Sequence, residues 1–320
     1  MQSSYPQVAH TVVVPYPPRV SDIVSFDVIS RRFLPVALLV SAVCVELTAD
    51  RAQGRRPLQV SFAPSTPHPG DVVRVDIEGA DTGETITATV LGQDIDFHFD
   101  PQLRKHQALV GIDLDAKPDA YHLRIRRNGA PEATTSTLRI LPKQFAVRRL
   151  TVPGNFVEPP ADALEQIKRD SAMLAEAYAR VSGRKWTDAF LLPVDGKPTS
   201  NFGTRSYYNG QRRSPHAGVD FVGKPGTPIR AANRGEIVVA APMYFTGNTV
   251  VIDYGERLFS VFAHLSEIHV KTGDKVEPAT VVGLVGATGR VTGPHLHWSV
   301  RLNGARVDPL SLVAATSGAP

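Results

Sequence analysis

Two histidines stand one residue apart near the C-terminus, at the start of an alternating apolar run. If this run is a strand, residues two apart point to the same face. The imidazoles of His295 and His297 then converge, while Leu296 packs behind them. Imidazole nitrogens bind divalent metal ions and exchange protons near neutral pH. The pair is therefore a candidate for metal binding or for acid–base chemistry.

A histidine and a carboxylate lie four residues apart earlier in the same half of the chain, at His216 and Asp220. That spacing would align both side chains on a helix, whereas Pro215, Gly218 and Gly223 favour a loop that runs into a strand. In either conformation an imidazole nitrogen and a carboxylate oxygen can reach one point, which suits a divalent ion.

A third candidate, His264, follows the apolar pair Val261 and Phe262. Five of the ten histidines come after residue 200, and one of these five, His269, is predicted to face solvent. Each signal alone is common in proteins. Their occurrence in this order within one segment is far more specific.

The composition limits how such a site can work. Cys44 is the only cysteine, which excludes an internal disulfide and a cysteine-based zinc site, so His, Asp or Glu must hold any metal. No H-E-x-x-H motif is present, so the glutamate base of many zinc proteases is missing and proton transfer falls to a histidine. The net charge of +4 does not require a nucleic-acid partner, and none is predicted.

The chain is long enough for two domains, and its 42% hydrophobic content supplies their cores. Residues 57–142 alternate in short segments between turn signals, which predicts an immunoglobulin-like antiparallel β-sandwich. This domain clusters no catalytic residue types, so it is predicted to be a spacer or to bind a protein or a glycan. Residues 143–198 form a connector, whose apolar residues at helical spacing predict a helix at about 161–182.

The N-terminal extension, residues 1–52, contains Arg31 and Arg32 followed by an apolar run from residue 33 to 45. This run is shorter than the roughly 20 residues needed to span a bilayer. Basic residues before a short apolar stretch are typical of a secretory signal. We therefore predict export to the periplasm or cell envelope, with the run either cleaved or kept as a membrane tether.

The segment from Asn201 to about Pro309, a third of the chain, resembles the catalytic domain of the zinc metallopeptidases of the lysostaphin and LytM type, family M23. The resemblance rests on the three histidine-containing pieces described above. It also rests on five supporting motifs: Ser200 to Arg205, Gly226 to Ala232, Gly235, Val270 to Val276, and Thr288 to His297.

The predicted fold is therefore mostly β. It comprises an N-terminal immunoglobulin-like sandwich, one connecting helix and a C-terminal antiparallel domain. For this last domain, residues 199–312, the resemblance implies a LytM-type fold similar to a barrel-sandwich hybrid, and a disordered tail is expected at 313–320.

The resemblance also implies a site and an activity. His216, Asp220 and His297 would hold one zinc ion (Zn2+) with a water in the fourth position, and His264 and His295 would be the catalytic pair. Which of these two accepts the proton and which stabilises the oxyanion is open at this point. The implied activity is that of an exported endopeptidase that cuts the peptide cross-links of bacterial peptidoglycan.

Three alternatives stay open. A catalytically silent relative would bind cell wall or activate another hydrolase, but such proteins typically lack ligands, and here all five positions are filled. A non-haem iron oxygenase also uses two histidines and one carboxylate, but it usually spaces the first histidine and the acid two apart. A sugar-transport phosphocarrier of related β architecture uses paired histidines but needs no carboxylate ligand.

Overall fold

The computed structural model describes residues 56–128, 133–152, 159–199 and 201–317. The predicted extension at 1–52 and its apolar run at 33–45 lie outside the described residues. Within the described ranges, no helix combines the length and the apolar character that crossing a membrane requires.

The first domain consists of two four-stranded antiparallel sheets, with strand orders β1-β2-β6-β5 and β4-β3-β7-β8. Both sheets contribute alternate side chains to one core, which contains Val75 and Val110 from the first sheet and Ile86 and Leu123 from the second. This arrangement is the predicted sandwich, and its immunoglobulin-like character stays a prediction. The strands are β1 (Gln59–Ala63), β2 (Val72–Glu78), β3 (Ile86–Val90), β4 (Gln93–Asp96), β5 (His98–Asp100), β6 (Lys105–Gly111), β7 (Ala120–Arg127) and β8 (Thr134–Arg139).

The connector contains strand β9 (Val147–Leu150), a 3-10 turn (Ala161–Ala163) and helix α1 (Leu164–Ala179). The helix packs on the second domain, where the ring of Tyr178 meets that of Phe259 edge-on at a centroid distance of 5.6 Å. It ends at Ala179, earlier than the predicted residue 182, because the backbone of Arg180 is extended.

The second domain is built on a nine-stranded sheet with the main strand order β12-β19-β16-β15-β14-β17. Strand β18 pairs with β13 and β16, and β20 pairs with β19. Its core includes Phe221, Phe262 and Trp298, and the buried indole N–H of Trp298 donates to Ser260 Oγ at 3.0 Å. The strands are β12 (Gly218–Val222), β13 (Pro228–Arg230), β14 (Gly235–Met243), β15 (Gly247–Asp253), β16 (Leu258–Ile268), β17 (Lys275–Val276), β18 (Val281–Val285), β19 (His295–Leu302) and β20 (Ala305–Val307).

A separate three-stranded sheet joins the connector to the second domain. Strand β9 runs parallel to β10 (Arg205–Tyr208), which forms a hairpin with β11 (Gln211–Arg212). The hairpin turns at Asn209 and Gly210, whose φ angles of 51° and 80° are those of a two-residue turn that suits twisted strands.

Helix α2 (Pro309–Thr316) follows the last strand and corrects one expectation. The predicted disordered tail at 313–320 is wrong for residues 313–316, because they form the last turn of this helix. Asp308 caps its start by accepting from the N–H of Leu310, and Leu312 is completely buried. The Oγ of Ser311 accepts from the backbone N–H of Val72, which ties α2 to the sandwich at 2.8 Å.

The sandwich and the second domain share a tight junction. Arg306 binds both carboxylate oxygens of Asp113, at 2.6 and 3.1 Å, and its Nη2 also lies 2.8 Å from Asp115. Burial alone would raise the pKa of Asp113, but the hydrogen bonds from Arg306 outweigh it and hold that pKa below its usual range. Gly111 comes so close to β19 that a Cβ there would lie 2.9 Å from the carbonyl oxygen of Leu302.

Candidate metal centre

Three side chains that the sequence predicts as metal ligands converge on the large sheet. Asp220 on β12 and His297 on β19 are directly opposite each other in an antiparallel pair. His216 lies two residues before β12. Oδ1 of Asp220 lies 2.8 Å from Nδ1 of His297 and 3.0 Å from Nε2 of His216, and these two nitrogens are 3.1 Å apart. No other group of this kind is found in the described part of the chain.

The triangle of ligand atoms fits a small cation. Ligand atoms held at about 2.0–2.2 Å from a tetrahedral ion lie about 3.3–3.6 Å from one another. The three separations here, 2.8, 3.0 and 3.1 Å, are shorter by about 0.2–0.8 Å. Two imidazole nitrogens and one carboxylate oxygen therefore surround a point where a divalent metal ion can bind.

Local backbone contacts orient the ligands. Nδ1 of His216 donates to the carbonyl oxygen of Asn201 at 3.2 Å, which leaves Nε2 to face Asp220. Gly218 provides space for the ring of His297, because a Cβ at this position would lie 2.8 Å from its Nε2. The glycine in the His-x-x-x-Asp motif is therefore required by packing against the second histidine ligand.

The electrostatics of the three groups favour cation binding. Burial alone would raise the pKa of Asp220, but the hydrogen bonds with His216 and His297 outweigh it and keep that pKa well below its usual range. Burial lowers the pKa of His297, against the opposing effect of Asp220. At neutral pH the carboxylate is thus charged and His297 is neutral, which are the protonation states that metal binding requires.

His264 lies beside this group on an irregular part of β16. Between ladder partners, β16 has two residues, Ala263 and His264, where β15 has only Thr249, so the strand forms a bulge. His264 adopts a left-handed backbone with a φ of 67°, which is uncommon for a residue other than glycine. Its backbone N–H donates to the carbonyl of Thr246 at 2.8 Å, which holds the bulge in place. The bulge aims this imidazole at the other histidines.

The side chain of His264 is held in one tautomer. Its Nδ1 donates to the carbonyl oxygen of Thr288 at 3.0 Å, so Nε2 carries the free lone pair. Burial, which leaves the residue only 8% exposed, lowers the pKa of His264 to about 4. The imidazole of His264 is therefore neutral at neutral pH, with its Nε2 lone pair unprotonated.

His295 is the first residue of β19 and completes the cluster. Its Nδ1 donates to the carbonyl oxygen of Gly293 at 2.8 Å, and its Nε2 lies 3.9 Å from Oδ1 of Asp220. The rings of His264 and His295 are 4.9 Å apart between centroids. All five residues that the sequence singles out are thus neighbours. His269 is exposed and contacts Glu267 instead.

Two exposed apolar side chains near the cluster were not found from the sequence. Val222 is 71% exposed and is the cross-strand partner of His295. Phe245 is 43% exposed, next to Thr246, and the guanidinium of Arg290 lies 5.6 Å from its ring centroid. The alternation of β12 could have revealed Val222, because it shares the face of Asp220. Nothing local marks Phe245.

Comparison with known proteins agrees with this geometry. The sequence pattern of Peptidase family M23 matches residues 214–309. A crystal structure of a peptidase M23 from Pseudomonas aeruginosa is 34% identical, with a TM-score of 0.63, over 78% of this chain and 96% of that chain. The chain belongs to peptidase family M23. The structural match extends well beyond the third of this M23 chain that the family pattern covers, so it also includes residues before the peptidase domain.

Named relatives of this M23 chain share part of its length. It is 40% identical over 177 residues to the peptidoglycan DD-endopeptidase ShyA of Vibrio cholerae, which is 53% of this chain and 41% of ShyA. It is 40% identical over 101 residues to the DD-carboxypeptidase/endopeptidase Mpg of Neisseria meningitidis, which is 32% of this chain and 23% of Mpg. The chain thus spans less than half the length of these relatives.

Proposed function

We propose that this M23 protein is an exported, zinc-dependent endopeptidase that hydrolyses the peptide cross-links of bacterial peptidoglycan. The observation that carries the proposal is the convergence of two imidazole nitrogens and a carboxylate oxygen on one point, with two further imidazoles beside them. The substrate is inferred from relatives named as peptidoglycan DD-endopeptidases.

His216, Asp220 and His297 would hold the metal. Nitrogen and carboxylate ligands suit zinc, and three protein ligands are the number that catalytic zinc sites use, since they leave one position open. When bound, zinc supplies a Lewis acid that polarises the scissile carbonyl and lowers the pKa of water to about 7.

Of the two remaining histidines, one would transfer a proton and the other would stabilise negative charge. Nε2 of His264 would accept a proton from the attacking water, whose oxygen adds to the scissile carbonyl carbon, because Nδ1–H of His264 is held by Thr288 and the ring is neutral. His295 lies across from it, nearer to Asp220, and stabilises the negative charge that develops on the carbonyl oxygen. The proton then passes to the leaving amine, which breaks the peptide bond.

Digestion of isolated sacculi by the purified full-length protein tests this function. The released fragments are identified by mass, and the reaction is repeated with a chelator and after return of zinc. We expect new free amines at the cross-links, loss of activity with chelator and recovery with zinc. If the protein binds sacculi but releases no fragment in any of these conditions, it is the silent wall-binding alternative.

Export is proposed from the apolar run at residues 33–45 and the two arginines before it. Cell fractionation combined with N-terminal sequencing of the recovered protein tests it. Recovery in the envelope fraction, with or without residues 1–52, supports export, and recovery in the cytosol contradicts it.

A further inference from the structure

Four arginines cluster on the three-stranded sheet formed by β9, β10 and β11, which we call the basic sheet. Arg148 and Arg149 lie on β9, Arg212 lies on β11, and Arg213 follows β11 directly. The backbone N–H of Arg213 donates to the carbonyl of Ser206, which continues the hairpin pairing. Arg148, Arg149 and Arg212 are exposed to solvent.

These arginines differ from others in the same protein in what they contact. Arg127 binds Glu84, Arg205 binds Asp115 and Arg306 binds Asp113. Among the described residues, by contrast, no carboxylate lies within 4.0 Å of any of the four arginines on the basic sheet. Arg148 Nη2 donates to Ser206 Oγ at 3.4 Å and the half-buried Arg213 donates to Gln211 Oε1 at 3.3 Å. Within the described ranges, the exposed Arg149 and Arg212 are therefore the two charges most available to an anion.

The strand register aligns two of these charges on either side of an aromatic ring. Tyr207 is the cross-strand partner of Arg149 in β9 and of Arg212 in β11, so the three side chains share one face. The guanidinium of Arg149 lies 5.3 Å from the ring centroid of Tyr207. Neighbouring strands are about 4.8 Å apart, so the two arginines start about 10 Å from each other. The row formed by Arg149, Tyr207 and Arg212 therefore has the spacing to bind two separate carboxylates.

The basic sheet is directly connected to the candidate metal centre. Arg213 precedes His216 by three residues. The backbone of His216 bonds to the segment just before β10, since its carbonyl accepts from Gly203 at 2.7 Å and its N–H donates to Thr204 at 3.0 Å. The segment that carries the metal-binding residue His216 is therefore anchored to the segment that leads into the basic sheet.

We infer that the basic sheet binds the free carboxylates of the peptide stems of peptidoglycan and so holds the substrate beside the metal centre. This inference rests on the proposed function, which supplies the substrate class. Arginine pairs with carboxylates through two parallel hydrogen bonds, and Tyr207 offers an apolar surface between them. A peptide with carboxylates fits this row better than an uncharged glycan does.

A binding assay with the full-length protein and isolated sacculi tests the inference without turnover, because a chelator is present throughout. The test variant is R149Q/R212Q. The matched control is R124Q/R126Q, which removes two exposed charges from β7 of the sandwich. Each variant is measured on native sacculi and on sacculi whose carboxylates have been amidated with a carbodiimide.

We expect R149Q/R212Q to bind native sacculi about three- to tenfold more weakly than the wild type, and the control to bind normally. On amidated sacculi the wild type should fall to the level of R149Q/R212Q, with no further loss in the variant. A second variant, R149K/R212K, keeps the charge but loses the two-pronged hydrogen bonding, and it should bind at an intermediate level.

Two outcomes overturn the inference. If R149Q/R212Q binds native sacculi like the control, the basic sheet does not hold the substrate. If its defect persists on amidated sacculi, the arginines bind another anion such as a phosphate polymer. Failure of the proposed function is separate, because it appears as absence of cleavage by the wild type with zinc, whatever the binding assay shows.

Discussion

Asp220 and His297 face each other across strands β12 and β19, with Oδ1 of the first 2.8 Å from Nδ1 of the second. Directly opposite residues in an antiparallel pair share one face of the sheet. A slip of one residue would turn one of the two side chains to the opposite face. The register of β12 against β19 therefore positions two of the three ligands of the candidate metal centre.

Replacement of His297 by alanine should remove metal and activity together, because it deletes one of three ligands. Metal content is measured on protein purified without added metal, and activity on sacculi. The matched control is H269A, which alters an exposed histidine outside the cluster and should retain both. Full activity in a metal-free H297A protein would overturn the ligand assignment.

Replacement of His264 or His295 by alanine should leave the metal in place and lower turnover by about 10²- to 10⁴-fold, the usual contribution of a positioned acid or base. Neither side chain is among the three converging ligands. Metal content and the rate of fragment release are measured on the same preparations. A variant that loses its metal in proportion to its activity would show that the residue is a ligand.

Gly218→Ala should weaken metal binding and destabilise the fold by about 1–3 kcal/mol, the range for an overpacked site. The added Cβ would lie 2.5 Å from the carbonyl of Trp298 and 2.8 Å from the ring of His297, so the backbone must move. Thermal unfolding and zinc affinity measure the effect. Gly183→Ala is the control, since a Cβ there meets nothing within 4 Å. Equal stability and zinc affinity of the two variants would contradict the close packing of Gly218 against His297.

The free energy of unfolding should fall in acid, and part of that fall should come from protonation of Asp113. Because Arg306 keeps the folded pKa of Asp113 below its usual range, this carboxylate stabilises the fold above its unfolded pKa of about 3.9. That contribution is lost as the pH falls through the lower, folded pKa. D113N should therefore be less stable than the wild type at pH 7, by about 1–2 kcal/mol, and the difference should shrink in strong acid.

Chemical unfolding at a series of pH values measures this effect. The control is D119N, which alters an exposed aspartate of the same domain and should show no such convergence. A constant difference between D113N and wild type at all pH values would contradict the role given to the ion pair.

The sequence predicted the parts of the site that depend on local periodicity. Alternation placed His295 and His297 on one face, and the glycines near Asp220 indicated a strand rather than a helix. The peptidase family followed from the same motifs. These features are encoded within a few residues, which is why the pattern alone was enough.

Other features depend on contacts between distant segments. The left-handed bulge at His264 requires the carbonyl of Thr246, and its tautomer requires that of Thr288. Helix α2 was missed because Leu312 is buried in a core shared with Val72, a residue of the sandwich. The parallel pairing of β9 with β10 likewise joins segments more than fifty residues apart. No local pattern specifies such partners.

Asp115 is shared by two arginines of the peptidase domain, Arg205 at the start of β10 and Arg306 on β20, at 2.7 and 2.8 Å. One acidic loop of the sandwich thereby contacts both the β10–β11 hairpin and strand β20 of the large sheet. A chimaera that joins this peptidase domain to an unrelated N-terminal domain would keep the hairpin but lose the contact between Arg205 and Asp115. Such a chimaera should therefore lose both ion pairs to Asp115 unless its new leading domain places a carboxylate at the same position.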